Sequence, residues 1–146
     1  MNVDELEILL VEDSPSDAEL TIRAFKERKL TNKLIHVGDG AEALDFVFGR
    51  GRYAGRSTEK KPKVILLDLK LPKVDGFEVL RRLKADEWAR TIPVVVLTSS
   101  TEERDVVESY RLGVNSYINK PVDFNKFAEA ISQLGLYWLV LNKAPG

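Results

Sequence analysis

The chain has 146 residues, 44% hydrophobic and 31% charged, with a net charge of −1. That length suits one domain with a sizeable core, and the near-neutral charge gives no electrostatic case for nucleic acid or an anionic membrane as partner. There is no cysteine, which excludes disulfides, thiolate catalysis and cysteine metal sites and is compatible with a cytoplasmic protein. The N-terminus Met1-Asn2-Val3-Asp4-Glu5 is acidic and is not a signal peptide. No stretch reaches the roughly 18 apolar residues of a membrane span.

Residues 6–11 form a short continuous apolar run that predicts a buried strand ending at Glu12-Asp13. Ser14-Pro15-Ser16-Asp17 opens a helix: Ser14 suits the cap, Pro15 the first helical position, and Asp17 completes an S-x-x-D capping box. The helix reaches about Lys29, a weaker second strand follows at 32–37, and Asp39-Gly40-Ala41-Glu42 starts a second helix that runs to Phe48. Residues 49–63 carry three glycines, a proline and six basic residues, which predicts a long exposed connection. The third strand is 63–68, ending at Asp68, and after a turn the third helix spans about 76–86. Strand four, 93–98, ends at Thr98. Helix four begins near Ser100 and ends at Leu112-Gly113, where glycine suits a left-handed cap. Strand five, 115–119, runs into Lys120-Pro121, and helix five extends from Asp123 towards 138. The predicted domain is therefore 1–138, with 139–146 as a C-terminal tail. Five strand–helix units argue a doubly wound α/β fold with one parallel sheet, (βα)5.

In such a sheet the ligand crevice lies at the carboxyl ends of the strands. That edge gathers the carboxylates of Glu12, Asp13 and Asp68, the hydroxyl of Thr98 and the ammonium of Lys120. Three clustered carboxylates repel one another, and one pKa rises unless a cation intervenes. Mg²⁺ prefers oxygen ligands and phosphates, and a lysine supplies a point charge for phosphoryl oxygens. The set suits a divalent cation and a phosphoryl group.

Glu12-Asp13, Asp68, Thr98, Tyr117 and Lys120-Pro121, each at its strand and in this order, resemble the response-regulator receiver domains of the CheY-like family. The spacing agrees: Asp68 to Thr98 is 30 positions and Thr98 to Lys120 is 22. The resemblance covers essentially 6–136 and implies a flavodoxin-like sheet with strand order 2-1-3-4-5. It implies that Asp68 accepts a phosphoryl group from a sensor histidine kinase and that Thr98 and Lys120 bind the phosphoryl oxygens. Asp13, Asp68 and the Lys70 backbone carbonyl would hold Mg²⁺, with Glu12 acting through a coordinated water. It also implies a cis Lys120-Pro121 bond and a switch in which Thr98 moves towards the phosphoryl group and Tyr117 turns inward. Helix four, strand five and helix five would present the output surface, with Ser109, Tyr110, Arg111, Tyr117 and Phe124 as candidates. The long loop before strand three and the aromatic-bearing C-terminus resemble the small phytochrome-associated response regulators, stand-alone receivers that tend to dimerise. Output would then be protein contact, or onward transfer to a histidine phosphotransfer protein.

Other features have plainer readings. His36, the single histidine, reads as structural, Trp88 as packing, and the basic loop as a solvated connection. Leu134–Leu141 is more apolar than the last turn of a receiver requires and predicts either a cover for the domain's own core or a homodimer interface. The rival function is a Mg²⁺-dependent phosphohydrolase with an aspartyl-phosphate intermediate. Such enzymes usually carry an acid two residues after the nucleophile, and that position is Lys70. A flavodoxin is the further rival, but Glu12-Asp13 would repel a flavin phosphate.

Overall fold

The longest apolar runs become the three central strands because those strands are buried on both sides. In the computed structural model, which describes residues 7–27, 33–55, 62–98, 108 and 110–133, the strands are β1 (Glu7–Val11), β2 (Lys33–Val37), β3 (Val64–Asp68), β4 (Val94–Thr98) and β5 (Ser116–Asn119). All pair in parallel in the order β2-β1-β3-β4-β5, the predicted topology. Every residue of β3 and β4 is buried. That explains their unbroken Val, Ile and Leu, since a central parallel strand is covered on both faces. β2 and β5 are the edges. The exposure of His36 and the alternating burial of β5 follow from that position.

Helices α1 (Pro15–Glu27), α2 (Gly40–Phe48) and α3 (Gly76–Ala85), with a last described helix at Phe124–Gln133, cover the two faces. On one face α2 and α3 pack Leu44, Val47, Leu80 and Leu83 against Leu9, Ile65, Val94 and Val96. On the other, α1 and the 124–133 helix bring Phe25, Phe127 and Ile131 onto Leu10, Leu66 and Val95. Phe25 and Phe127 meet with ring centroids 4.6 Å apart. Phe124 also turns to Phe25, at 6.5 Å. It is thus half-buried, one side packed against the core.

The caps fall where polar residues precede apolar runs. Asp39 and Asp75 accept the backbone N–H groups of Glu42 and Glu78 at 2.7 and 2.9 Å, each satisfying a donor that the helix start leaves open. Pro15 is the first residue of α1, as expected. Of helix four only the end is described: Gly113, with φ +86°, sends its N–H to the carbonyl of Tyr110 at 3.1 Å. The rest of helix four, Ser109 and the apolar segment after Gln133 lie outside the described residues, as does the tail 139–146.

The connection after α2 is less loose than expected. Gly51–Tyr53 forms a 3₁₀ turn. The Tyr53 hydroxyl donates to Glu42 at 2.7 Å, and its ring meets Phe46 edge-on at 5.1 Å. Arg50 and Arg52 reach back to Asp45 and Glu42, at 3.9 and 3.3 Å. Trp88 is half-buried beside Phe48, at 6.4 Å, in its packing role. Among the described residues no helix is long and apolar enough to cross a membrane.

Candidate functional site

β1 connects outward to β2 on one side, and β3 lies on its other side, so the strand order reverses between β1 and β3. Ligand crevices open at such a switch point, beyond the carboxyl ends of the strands. Glu12 and Asp13 follow β1 there and Asp68 ends β3. Carboxylate oxygens of all three lie within 4.8 Å of one another. The neighbouring strands step upward past them. Asp68 is level with Leu97, Thr98 with Asn119, and Lys120 follows directly. The backbone N–H of Lys120 donates to the Thr98 carbonyl at 2.9 Å, and the Lys120-Pro121 bond is cis, as the resemblance implied.

Lys120 is the hub. Its Nζ lies 2.6 Å from Glu12 Oε1, 2.8 Å from Asp68 Oδ2 and 3.4 Å from Asp17 Oδ2. The other oxygen of Asp68, Oδ1, accepts the backbone N–H of Lys70 at 3.0 Å. Glu12 and Asp68 are only 1% and 5% exposed, and Thr98 3%, whereas Asp13 is open to solvent. Tyr117 stands outward on β5, 38% exposed, edge-on to Tyr110 at 5.9 Å. Together with the 124–133 helix these tyrosines line an open groove of about 460 Å³.

One ammonium cannot neutralise two buried acids. Burial, reinforced by the neighbouring Asp68, pushes the Glu12 pKa from the ordinary 4.5 up to about 7, against the opposing hydrogen bond from Lys120. Burial alone would lower the Lys120 pKa, but its hydrogen bonds to Asp68 and Glu12 hold it above the ordinary lysine value. The lysine therefore stays charged, and Glu12 is the group that tends to hold a proton below about pH 7. A second cation would remove that conflict. The donor set is all carboxylate oxygen, which fits a hard divalent ion.

Asp17 is the site residue that the sequence reading assigned elsewhere. As a capping-box residue it would return a hydrogen bond to the Ser14 N–H. That N–H instead donates to Glu12 Oε2 at 3.2 Å, while the Asp17 N–H takes Ser14 Oγ at 3.3 Å. The carboxylate of Asp17 is turned to Lys120. Its signal in the sequence was its place one turn along the helix that follows the acidic pair. Gly76 was missed too: a Cβ there would lie 2.4 Å from the Asp68 carbonyl oxygen. Only glycine lets α3 start so close behind Asp68. His36 is structural, as expected, since its Nε2 donates to the Glu12 carbonyl at 2.8 Å.

Residues 8–132 match the family described as response regulator receiver domain. The chain is 44% identical over 140 residues to the probable methanogenesis regulatory protein FilR2 of Methanothrix harundinacea, covering 95% of this chain and 87% of that one. It is 40% identical over 132 residues to the response regulator Rcp1 of Synechocystis sp., covering 90% and 88%. A solved structure of Rcp1 is of its Mn²⁺-bound form, with a TM-score of 0.75 at 38% identity, covering 96% and 99%. The structure of the bacteriophytochrome response regulator AtBRR superposes with a TM-score of 0.85 at 52% identity, covering 95% and 99%. These likenesses do not favour the phosphohydrolase alternative, and neither does a lysine at position 70.

Proposed function

Because the chain belongs to the response regulator receiver family, we propose that Asp68 accepts a phosphoryl group from the phosphohistidine of a sensor histidine kinase and that the protein signals through the resulting change of shape. The observation that carries this reading is the grip on the Asp68 carboxylate, with the Lys70 N–H on one oxygen and the Lys120 ammonium on the other. A carboxylate oriented in this way, at the switch point of the sheet, is a placed nucleophile.

An oxygen of Asp68 forms the new P–O bond as the P–N bond of the phosphohistidine breaks, and the bonding electrons leave with the imidazole. Charge then moves onto the phosphoryl oxygens. Lys120 already lies within hydrogen-bond reach of Asp68 and turns to those oxygens, and the Thr98 hydroxyl supplies a second partner. Asp13, Asp68 and the Lys70 carbonyl would hold Mg²⁺, with Glu12 behind them. When bound, that ion supplies neutralisation of the acids and of the developing phosphoryl charge. Movement of Thr98 makes room for Tyr117 to turn in from its exposed position, which changes the groove beside the 124–133 helix. This is a local charge change read out by a two-state element. The protein acts in this reading as a phosphoacceptor switch and not as an enzyme with turnover.

The likeness to the bacteriophytochrome response regulator AtBRR supports a phytochrome-type kinase as phosphodonor, and action in the cytoplasm belongs to the same reading. Pairing of two copies through the apolar segment after Gln133 belongs to the same reading, and sedimentation of the chain against a truncation ending at Gly135 tests it. The central test is modification by acetyl phosphate, or binding of beryllofluoride, in the presence of Mg²⁺. Wild type should respond and Asp68→Asn should not. Equal incorporation in both overturns the assignment.

A further inference from the structure

We propose that Asp17 determines phosphodonor specificity, its carboxylate setting a charge barrier at the mouth of the site against small anionic donors and so favouring a phosphohistidine delivered by a docked protein. The inference rests on the reading of Asp68 as acceptor. Lys120 Nζ lies 3.4 Å from Asp17 Oδ2 and 2.8 Å from Asp68 Oδ2. The two oxygens are therefore at most about 6 Å apart, a range over which one charge governs the chemistry of another. Asp17 is not among the acids that share the cation cluster. It comes from α1, and its side chain is 44% exposed, whereas that of Glu12 is 1% exposed. Like Asp13 it meets solvent, so its charge acts on an incoming group, whereas the interior has sealed Glu12 away.

Its effect has two parts with the same sign. Asp17 draws on the one ammonium that must serve the phosphoryl oxygens, and it repels a dianion approaching Asp68. A free donor meets both in full, because its local concentration at the site follows the local potential. A donor carried on a protein is held by contacts elsewhere, and that binding energy offsets the local repulsion.

The test measures phosphorylation of the full chain at saturating Mg²⁺ by two small donors of different charge. With acetyl phosphate, Asp68 forms the P–O bond while the bond from phosphorus to the acyl oxygen breaks and acetate leaves with the electron pair. With phosphoramidate, a monoanion whose nitrogen already carries the proton, the P–N bond breaks and ammonia leaves. Asp17→Asn should accelerate the dianionic donor about 5-fold and the monoanion about 2-fold, with both gains shrinking towards unity in 0.5 M salt. Glu19→Gln, which removes an equally negative but outward-facing charge from the same helix, should leave both rates at the wild-type value. Equal rates for wild type and Asp17→Asn, slower phosphorylation of the variant, a gain independent of donor charge or salt, or the same gain from Glu19→Gln would each overturn the proposal. Failure of the acceptor reading is distinguishable, since wild type would then be unlabelled by either donor or labelled no more than Asp68→Asn.

Discussion

At the residue scale the site is a charge balance centred on Lys120. Three carboxylates contact one ammonium, and the most buried of them, Glu12, has its pKa pushed up to about 7. Linkage gives the consequence its sign. Without a divalent ion, the folded chain keeps a proton between pH 4.5 and 7 that the unfolded chain releases, so stability falls as pH rises through that window. The loss attributable to Glu12 is up to about 3 kcal/mol. Urea unfolding in a chelator at pH 5, 6, 7 and 8 should show the decline, and Glu12→Gln should flatten it. A wild-type profile that rises across the same window would contradict the assignment. Added Mg²⁺ should recover stability chiefly at the upper end, where Glu12 gives up its proton readily.

At the element scale, close backbone approaches hold the site's supports together. Gly40 opens α2 directly against the turn that follows β3, where a Cβ would lie 1.7 Å from the Val74 carbonyl oxygen and 2.9 Å from Val79 Cγ2. Backbone cannot yield as a flexible side chain can, so Gly40→Ala should cost about 2–3 kcal/mol by denaturant unfolding. Gly55→Ala is the control. A Cβ there meets nothing within 4 Å, and the change should stay within about 0.5 kcal/mol. Equal costs at the two positions would show that the packing of α2 on this turn does not limit stability. The Tyr53–Glu42 hydrogen bond adds a second tie from the basic connection back to α2. Arg50 and Arg52, read in the sequence as loop charges, are partners for the acids of that helix.

At the scale of the whole molecule, the sheet separates two cores, and the acidic site sits on the edge that both support. Phe127 is fully buried beside Phe25 on the α1 side, and Leu80 is fully buried on the α2–α3 side. Phe127→Ala should cost about 3–5 kcal/mol and Leu80→Ala about 2–5, the removed side chain leaving a void that packed neighbours fill only in part. If the sheet joins both faces into one cooperative unit, each variant should unfold in a single transition with coincident near- and far-ultraviolet circular dichroism. Separate transitions in either variant would mean that the two faces fold independently.

The sequence by itself determined the five strands, their parallel sense and the strand-end residues Glu12, Asp13, Asp68, Thr98 and Lys120, and the resemblance to receiver domains supplied the strand order. Fully buried strands demand unbroken apolar runs, and the polar residue ending each run has to face the crevice. The helix start at Asp39 was legible for a similarly local reason, a side chain satisfying an N–H three residues on, whereas Asp75 was read only as part of a turn and caps α3 in the same way. Only the tertiary structure decided what depends on approach between distant segments. A local reading as a capping residue lay open for Asp17, and nothing in the chain around it reveals a lysine 103 positions away. The need for glycine at 76 depends on how closely α3 passes behind Asp68. The inward turn of Phe124 depends on Phe25 across the fold. The elevated pKa of Glu12 likewise arises from burial and from the proximity of Asp68, and neither exists until the sheet has closed the distance between β1 and β3.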